Sequence, residues 1–522
     1  MTSPHDPLLR TGRVLDIRDF GAAADRRTPA TAALQAAIDA AHAAGGGVVY
    51  CPPGNYSIGS IELKSHVNLH LSAGATLWGS TRRDDYDLSN KMPDAAGRHP
   101  HLNQAHLLYA RNAEDIALTG LGRIDGQGDE YFGPPEDGSF WHSLKGWRPD
   151  RLIAFINCRN VLVEDVTLSN SPGWMLWPLG CEQVRIHRTR IITNPRGPNA
   201  DGIDPDCCRD VHISDCYINT GDDCIAVKSS VNLLGENRPC ENITVTNCTM
   251  SSTCCAVRIG YEGDGPIRNC AFSNLVFFNT RTGLNMLVPR NTDCQILHGP
   301  PIENLVFSNI VMDTRIALYL WIGDDASAPG GIRNVTISGV RATTERACYV
   351  GGSRTVPIEN LRLSDFDLTV RGRTDAEFAD AVPYPYPVFD WWNKRGIPDG
   401  LYCRNVHGLD LSGVRVHWGE VAGPWQSALR CEQVEDLTVN GLTARHGPGA
   451  DAPVIRLNNV QRAFLRGCRA APGTGRFLHV AGSASRDVVA MGNNLAAASR
   501  PFDLAGTLPA GAFSEQGNHL PA

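Results

Sequence analysis

Short alternations of aliphatic and polar residues recur along most of the chain, and each begins with an Asn or Asp. They are mostly spaced roughly 22 to 35 residues apart, the period expected of solenoid repeats. The units begin at Asp115, Asn160, Asp210, Asn242, Asn304, Asn334, Asn360 and Asp436. A strand this short cannot bury its own apolar face, but stacking at ~4.8 Å pairs neighbouring backbones and builds one continuous core. The pattern therefore predicts an all-β fold, a parallel β-helix, because a propeller needs several antiparallel strands in each repeat.

One segment near the N-terminus has helical periodicity instead. Thr28 suits the N-cap and Pro29 the first position of an alanine-rich stretch, and three glycines follow it. The apolar face would be formed by Leu34, Ile38 and Ala41. We predict a helix over about 28–44 that covers the open end of the β-helix and hides its unpaired edge groups.

The repeats predict a single domain over residues 1–522, with coils over about 48–480. Inserts at about 126–150 and 371–400 break the period, and such loops usually carry or wall a site. The tail over about 483–522 is polar and rich in alanine and glycine, which makes it a candidate for docking on a second copy. A homo-oligomer is therefore one expectation, although the sequence leaves the oligomeric state open.

Composition excludes several classes of function. The 522 residues carry 48 basic and 55 acidic side chains, a net charge of −7, so we expect no nucleic-acid partner. No apolar run approaches the ~18 residues of a transmembrane helix, and residues 1–19 lack a signal-peptide pattern. The 17 cysteines are scattered through apolar stretches, as buried reduced thiols would be. We therefore expect a cytoplasmic protein without a membrane partner.

The densest chemistry lies in two aspartate-rich segments about one coil apart. Asp201 precedes Asp222 and Asp223 by one such interval, so their carboxylates should converge on one surface. Such like charges suit glycoside hydrolysis, in which one carboxyl protonates the leaving oxygen and another activates water. Two alternatives stay open: aspartates that cap turns between coils, and a calcium site. Turn capping suits Asp204, Asp206 and Asp210 best.

At these residues the chain resembles the polygalacturonase-like glycoside hydrolases, glycoside hydrolase family 28. The stretch N-A-D-G-I-D-P-D…T-G-D-D-C-I-A-V-K, residues 199–228, is similar to two of that family's motifs, and weaker similarity extends to about Leu411. The resemblance implies a right-handed β-helix and an inverting mechanism without a metal or other cofactor. It also implies that Asp222 is the general acid and that Asp201 and Asp223 position and activate the water. An inverting pair should lie roughly 6.5–9.5 Å apart to admit that water.

Two departures from the family bear on function. Cys254 stands where the family has a histidine, either as an inert buried thiol or as a group that tunes Asp222. Asn285 stands in a stretch where pectin-cleaving members have the Arg-x-Lys pair that binds a sugar carboxylate. A neutral amide cannot neutralise a buried carboxylate, which favours a neutral or atypical sugar. Replacement cations for a galacturonide would come from Lys228, Arg258 or Arg290.

Further residues are candidates for binding an oligosaccharide substrate. Strand alternation would place Arg258 towards the aspartates, and Tyr261 and Glu262 follow it. Tryptophans next to turns or inserts could stack on sugar rings, with burial in the core as the alternative. These are Trp174, Trp177, Trp321, Trp391 and Trp392. Adjacent cysteines at 207–208 and 254–255 lack the spacing of a zinc site, so we expect no metal.

The sequence therefore favours an inverting glycosidase that acts from chain ends on imported oligosaccharides with a neutral or atypical sugar in the −1 subsite. A galacturonide or rhamnogalacturonan hydrolase with a replacement cation is the first alternative. A β-helical lyase or epimerase, and a carbohydrate-binding β-helix without catalysis, are the others. The sequence does not name the sugar, its linkage or its anomer.

Overall fold

Two compact units make up the chain in the computed structural model, which describes residues 13–90, 105–136, 139–289, 297–323, 330–372, 397–419, 425–448 and 451–522. The first unit comprises Met1–Val257, Gly265–Cys270 and Asp293–Gln295. The second comprises Arg258–Asp264, Ala271–Thr292 and Ile296–Ala522. The organisation of residues 1–522 as one domain stays a prediction.

Short parallel strands dominate both units. The strands up to residue 260 are β1 (Val14–Asp16), β2 (Asp25–Pro29), β3 (Gly47–Cys51), β4 (Gly54–Ile58), β5 (Ile61–Glu62), β6 (Val67–Leu71), β7 (Ala75–Gly79), β8 (His106–Arg111), β9 (Glu114–Thr119), β10 (Arg123–Asp125), β11 (Phe132–Pro135), β12 (His142–Leu144), β13 (Arg151–Ile156), β14 (Arg159–Glu164), β15 (Thr167–Ser169), β16 (Trp174–Leu179), β17 (Glu182–His187), β18 (Arg190–Ile192), β19 (Arg209–Ser214), β20 (Tyr217–Thr220), β21 (Ile225–Val227), β22 (Cys240–Thr246), β23 (Thr249–Ser252) and β24 (Cys255–Gly260). The later strands are β25 (Ile267–Val288), β26 (Pro301–Ile322), β27 (Gly331–Thr344), β28 (Cys348–Gly351), β29 (Ile358–Val370), β30 (Leu401–Ser412), β31 (Arg415–Trp418), β32 (Leu429–Asn440), β33 (Thr443–Ala444), β34 (Pro453–Asn458), β35 (Gln461–Arg466), β36 (Arg469–Ala470), β37 (Thr474–Ala481), β38 (Arg486–Met491), β39 (Ala498–Leu504) and β40 (Phe513–Gln516).

Three columns of parallel strands form the first unit. Strands β3, β6, β9, β14, β17, β19 and β22 pair in that order in one column, and β4, β7, β10, β15, β18, β20 and β23 in the next. The third column runs through β5, β8, β13 and β16. Residues in register stack into the core, as Val161, Val184, Val211 and Ile243 do. The fold is the predicted right-handed parallel β-helix.

An Asn or Asp in the left-handed backbone region marks the repeats. All eight residues at which the sequence units begin have positive φ, between 54° and 60°. Asn and Asp tolerate this region better than other residues with a side chain, because the short polar group bonds locally. Their side chains also bond between coils, as Asn242 Nδ2 does to Asp210 Oδ1 at 2.9 Å. Asp210 is thus a repeat-marking residue inside β19, which corrects its reading as a cap of a turn between coils.

The helix α1 (Thr31–Ala43) covers the first coil and buries Leu34, Ile38 and Ala41, as predicted. Its predicted start is wrong. Thr28 donates its hydroxyl to Asp25 and Pro29 pairs with Ser57, so both belong to β2 and not to the helix. A second helix, α2, is short and spans Val231–Leu234. No helix among the described residues is long and apolar enough to cross a membrane.

The second unit has the same stacked architecture. Strands β26, β27, β29, β30, β32, β35, β38 and β40 pair in sequence, in parallel. The segment after residue 482 is part of the stack of coils, and its docking on a second copy stays a prediction. It forms β38, β39 and β40, which pair with earlier coils of the same chain, so the coils extend to Gln516.

Cysteines in the first unit form a ladder, one in each of four successive coils. The backbone N–H groups of Cys158, Cys181 and Cys208 each donate to the sulfur of the next cysteine at 3.4 Å, ending at Cys240. Every cysteine in the described ranges is buried and outside a disulfide.

Candidate active site

The third column of strands in the first unit positions the aspartates. Between β16 and β21, residues 201–206 form a rung in which Ile203 bridges Leu176 on one side and Ile225 on the other. Met175 N–H donates to Asp201 O at 3.0 Å, and Gly202 N–H donates to Asp223 O at 2.8 Å. Asp201 therefore lies beside Asp222 and Asp223 on the neighbouring coil, as the one-coil interval predicts.

The three carboxylates form a tight cluster. One oxygen from each of Asp201, Asp222 and Asp223 lies within 4.8 Å of the others. Asp201 and Asp223 are 1% and 0% exposed, whereas Asp222 is half-buried. Oxygens this close show that the three side chains face one small volume, as a proton donor and a water-activating base at one glycosidic bond require. The separation of roughly 6.5–9.5 Å between the carboxyl groups of an inverting pair stays a prediction.

The loop that carries Asp222 is held by hydroxyl groups. Thr220 and Ser252 each donate to Asp222 O at 2.6 Å. Gly221 fits because a Cβ there would lie 2.2 Å from Asn194 O, closer than any packed atom pair. Any larger residue at position 221 would displace the two aspartates that follow it.

The first insert packs against this loop. Trp141 donates its indole N–H to Gly221 O at 3.2 Å. The Arg148 guanidinium donates to Asn199 Oδ1 at 2.8 Å and to Pro198 O at 2.7 Å. Burial lowers the pKa of Arg148 to about 10, against the opposing charges of Asp150 and then of Asp201 and Asp222. Arg148 is thus a buried cation at the site, and a lone arginine in a loop gave no sequence signal for it.

Lys228 lies beneath the aspartates instead of facing a substrate. Its side chain is 0% exposed, and Nζ lies 3.7 Å from Asp201 Oδ2 and 3.9 Å from Asp204 Oδ1. Because its side chain is fully buried, Lys228 has no exposed surface for the substrate contact predicted for it. Asp204 is fully buried as a partner of this lysine, which corrects its reading as a turn cap.

Trp174 is a half-buried aromatic residue next to Lys228. Lys228 Nζ lies 3.8 Å from its ring centroid and the Arg151 guanidinium carbon 3.6 Å from it. Trp177 is fully buried and donates its indole N–H to Asp206 Oδ2 at 3.2 Å, so it offers no surface for the sugar stacking considered for it. The stacking role of Trp174 stays a prediction. Asp206 also accepts from Ser230 N–H, and burial raises its pKa, which corrects its reading as a turn cap.

Cys254 and Cys255 lie against Asp223. Their sulfur atoms are 3.8 Å apart, and one oxygen of Asp223 lies within 4.8 Å of both. The hydrogen bond to Cys255, and then burial, raise the pKa of the Cys254 thiol well above its usual value. The thiol at the position of the family's histidine is therefore protonated and neutral at pH 7.

The remaining described candidates lie in the second unit. Arg258 Nη2 is 3.3 Å from Glu262 Oε1, and both side chains are largely buried. Tyr261, Tyr319 and Trp321 belong to one buried apolar cluster. Trp321 is only 8% exposed, so the stacking surface predicted for it is not available. Asn285 is buried in β25.

Three candidates fall outside the described residues. These are Arg290, Trp391 and Trp392. The second insert, predicted at 371–400, is described only at its two ends.

Comparisons with known proteins identify the family of the chain. The model of glycosyl hydrolases family 28 matches residues 51–382, well over half of the chain. The chain belongs to this family. A second model, rhamnogalacturonase A/epimerase, pectate lyase-like, matches residues 14–81.

Relatives of this family 28 member include polygalacturonases. A probable polygalacturonase of Vitis vinifera is 32% identical over 282 residues, which is 51% of this chain and about half, 55%, of that protein. An exopolygalacturonase of Arabidopsis thaliana is 25% identical over 390 residues, 70% of this chain and 78% of that protein. The solved structure of an exopolygalacturonase from Thermotoga maritima is 26% identical with a TM-score of 0.57, covering 69% of this chain and 87% of that one.

Proposed function

We propose that the protein is an inverting glycosidase that releases a neutral or atypical sugar from the ends of oligosaccharides. The observation that carries the glycosidase proposal is the cluster of Asp201, Asp222 and Asp223 within 4.8 Å. A binding module has no use for three crowded carboxylates, whereas proton transfer to a leaving oxygen requires one of them to hold a proton.

The exposure of the three aspartates supports a division of roles. Asp222 is half-buried, so it can reach a glycosidic oxygen and exchange its proton with solvent. Asp201 and Asp223 are buried and would hold the attacking water and accept its proton. The ammonium of Lys228 balances the charge of Asp201, which suits a base. In one turnover Asp222 gives a proton to the departing alcohol, the glycosidic bond breaks, and water supplies the new hydroxyl.

The proposal of inversion rests on the resemblance to the family motifs. In a retaining enzyme, by contrast, one carboxylate attacks the sugar directly. The anomer of the first product distinguishes the two mechanisms.

The balance of charges supports a neutral sugar. A galacturonide needs a cation for its carboxylate, and two of the three replacement cations are already paired. Lys228 pairs with Asp201 and Asp204, and Arg258 pairs with Glu262. A galacturonide hydrolase is the second candidate, favoured by the polygalacturonase relatives.

Action at chain ends is supported by two exopolygalacturonase relatives and by the first insert, which packs on the loop of Asp222. We also propose a cytoplasmic location, since the buried cysteines outside disulfides are suited to a reducing compartment. Imported oligosaccharides would then be the substrates.

Sugar release from a panel of oligosaccharides, followed by chromatography, tests the proposal. The panel contains neutral pyranosides and furanosides, galacturonides and rhamnogalacturonan fragments. We expect a neutral terminal sugar from the wild type and a loss of roughly 10²–10⁴-fold in Asp222→Asn. Asp210→Asn, a matched change at a repeat-marking aspartate, should keep full activity.

Proton NMR of the first product adds the stereochemistry, and an inverted anomer is expected. Release of galacturonate would support the second candidate instead. Random internal cleavage of a polymer would contradict exo-action, and undiminished turnover in Asp222→Asn would contradict the assigned acid.

A further inference from the structure

Two thiols and a carboxylate converge beside the catalytic cluster. The sulfurs of Cys254 and Cys255 are 3.8 Å apart, and the two sulfurs and one oxygen of Asp223 all lie within 4.8 Å of one another. All three residues are buried. The set is therefore three potential metal ligands of two kinds around one small volume.

The spacing suits a tetrahedral ion with sulfur ligands. Zinc–sulfur bonds are about 2.3 Å long, and at the tetrahedral angle they place two sulfurs about 3.8 Å apart. The sequence expectation that adjacent cysteines cannot share a metal does not fit this geometry. Neighbouring residues inside a strand point to opposite faces, but Cys254 precedes β24, which begins at Cys255, and the two sulfurs lie side by side.

We propose that Asp223, Cys254 and Cys255 bind a soft divalent cation such as Zn²⁺ or Cd²⁺, which inhibits the enzyme. The ion replaces the two thiol protons, which leave to solvent, and forms two metal–sulfur bonds and one bond to the Asp223 carboxylate. Water supplies the fourth ligand. With its lone pair on the ion, Asp223 no longer accepts a proton from the attacking water. The inhibition rests on the proposed function, whereas the binding site does not.

The chain contains a matched control pair. Cys207 and Cys208 are also adjacent and buried, but their sulfurs have different neighbours. Cys207 Sγ lies 3.9 Å from Ser229 Oγ, whereas Cys208 Sγ donates to Pro178 O at 3.1 Å. Among the residues that the structure describes, this pair belongs to no group of three potential metal ligands.

Cadmium titration of the full chain, followed by ultraviolet thiolate-to-cadmium absorption, tests the binding. We expect the wild type to develop this absorption with one equivalent and the Cys254→Ser/Cys255→Ser variant to lack it. The Cys207→Ser/Cys208→Ser control should behave as the wild type. In parallel, the zinc concentration for half-inhibition, relative to each variant's own rate, should rise at least about tenfold only in the first variant.

Absorption that persists in Cys254→Ser/Cys255→Ser, or none in the wild type, would overturn the site, since the ion would then bind other thiols or none. If that variant does not fold by circular dichroism, Asp223→Asn keeps both thiols and should keep the absorption at about tenfold weaker affinity. Equal affinity in Asp223→Asn would overturn the proposed ligand set. Cadmium binding without turnover of any substrate would contradict the glycosidase proposal and leave the site intact.

Discussion

At the scale of single residues, Lys228 shows that burial can change which groups a charged side chain contacts. A lysine just after a short apolar run looks like a surface cation, and the sequence placed it against a substrate. Its Nζ instead lies between Asp201 and Asp204 and next to the ring of Trp174. Which side of a coil a residue faces depends on the local backbone, and residues 201–206 pair through isolated bridges instead of a continuous strand. The convergence of the aspartates was predictable from coil spacing, but their buried counter-ion was not.

Replacing Lys228 by methionine should lower the free energy of unfolding by about 3–5 kcal/mol, because two buried carboxylates lose their cation. Lys64→Met is the control: Lys64 pairs with Asp39 at 2.7 Å at the surface, where 31% and 49% of the two side chains are exposed, so the cost should stay below about 1 kcal/mol. Urea unfolding of both variants measures the difference. Equal costs would contradict the counter-ion role.

His106 gives the stability a pH dependence. It is fully buried, and burial, followed by the charges of Arg151 and Arg111, lowers its pKa from 6.5 to about 3. Below pH 6.5 the unfolded chain takes up a proton that the folded chain excludes, so stability is lost as the pH falls from 6.5 towards 3. Asp150 works in the opposite direction, since burial raises its pKa to about 6 and its folded form holds the proton more tightly.

Between pH 7 and pH 5 the wild type should therefore lose roughly 2 kcal/mol more stability than His106→Leu. Asp150 is present in both proteins and cancels in the comparison. Urea unfolding at the two pH values measures the change. A difference between the two proteins that is independent of pH would show that His106 is not excluded from protonation.

At the scale of the element, the Asn and Asp at the start of each repeat were the main sequence signal from which the fold could be predicted. The sequence identified these positions, and the structure gives each of them a left-handed backbone. The helix was less predictable at its start, because Thr28 and Pro29 satisfy local capping rules equally well. Tertiary pairing of Pro29 with Ser57 decided the boundary. Local preference thus fixed the kind of element, and contacts distant in sequence fixed its ends.

The amide ladder of the second unit provides a test at this scale. Asn334 Nδ2 donates to Asn304 Oδ1 at 3.1 Å, and Asn360 Nδ2 donates to Asn334 Oδ1 at 3.0 Å. Asn334→Ala should destabilise by about 2 kcal/mol, since it removes both bonds and leaves alanine in the left-handed region. Thermal or urea unfolding measures this cost. Asn219→Ala, at a half-buried strand position without positive φ, should change stability by no more than about 0.5 kcal/mol.

At the scale of the whole molecule, the net charge of −7 bears on the substrate. A negatively charged protein repels polyanionic galacturonides, and salt screens that repulsion over a Debye length of about 10 Å at 0.1 M. A neutral oligosaccharide is insensitive to it. We therefore expect kcat/KM on the preferred substrate to change less than about twofold between about 0.02 and 0.2 M salt. A steep rise with salt would point to a galacturonide.

The C-terminal coils mark the limit of prediction for the whole chain. β38 and β39 contain arginine, aspartate and alanine where earlier coils have aliphatic residues, so their alternation is weak in the sequence. They are nevertheless strands, because each pairs with the coil before it. A solenoid supplies a ready-made edge, and a segment with little intrinsic strand character can extend it.

The cysteine ladder allows local opening of the first unit to be measured with the protein's own thiols. Cys158, Cys181, Cys208 and Cys240 place one buried thiol in each of four successive coils. A thiol reagent can modify each sulfur only when its coil opens, so mass spectrometry of labelled peptides reads the opening rate coil by coil. No probe has to be engineered for this. The order of labelling would tell whether the stack frays from one end or opens at once.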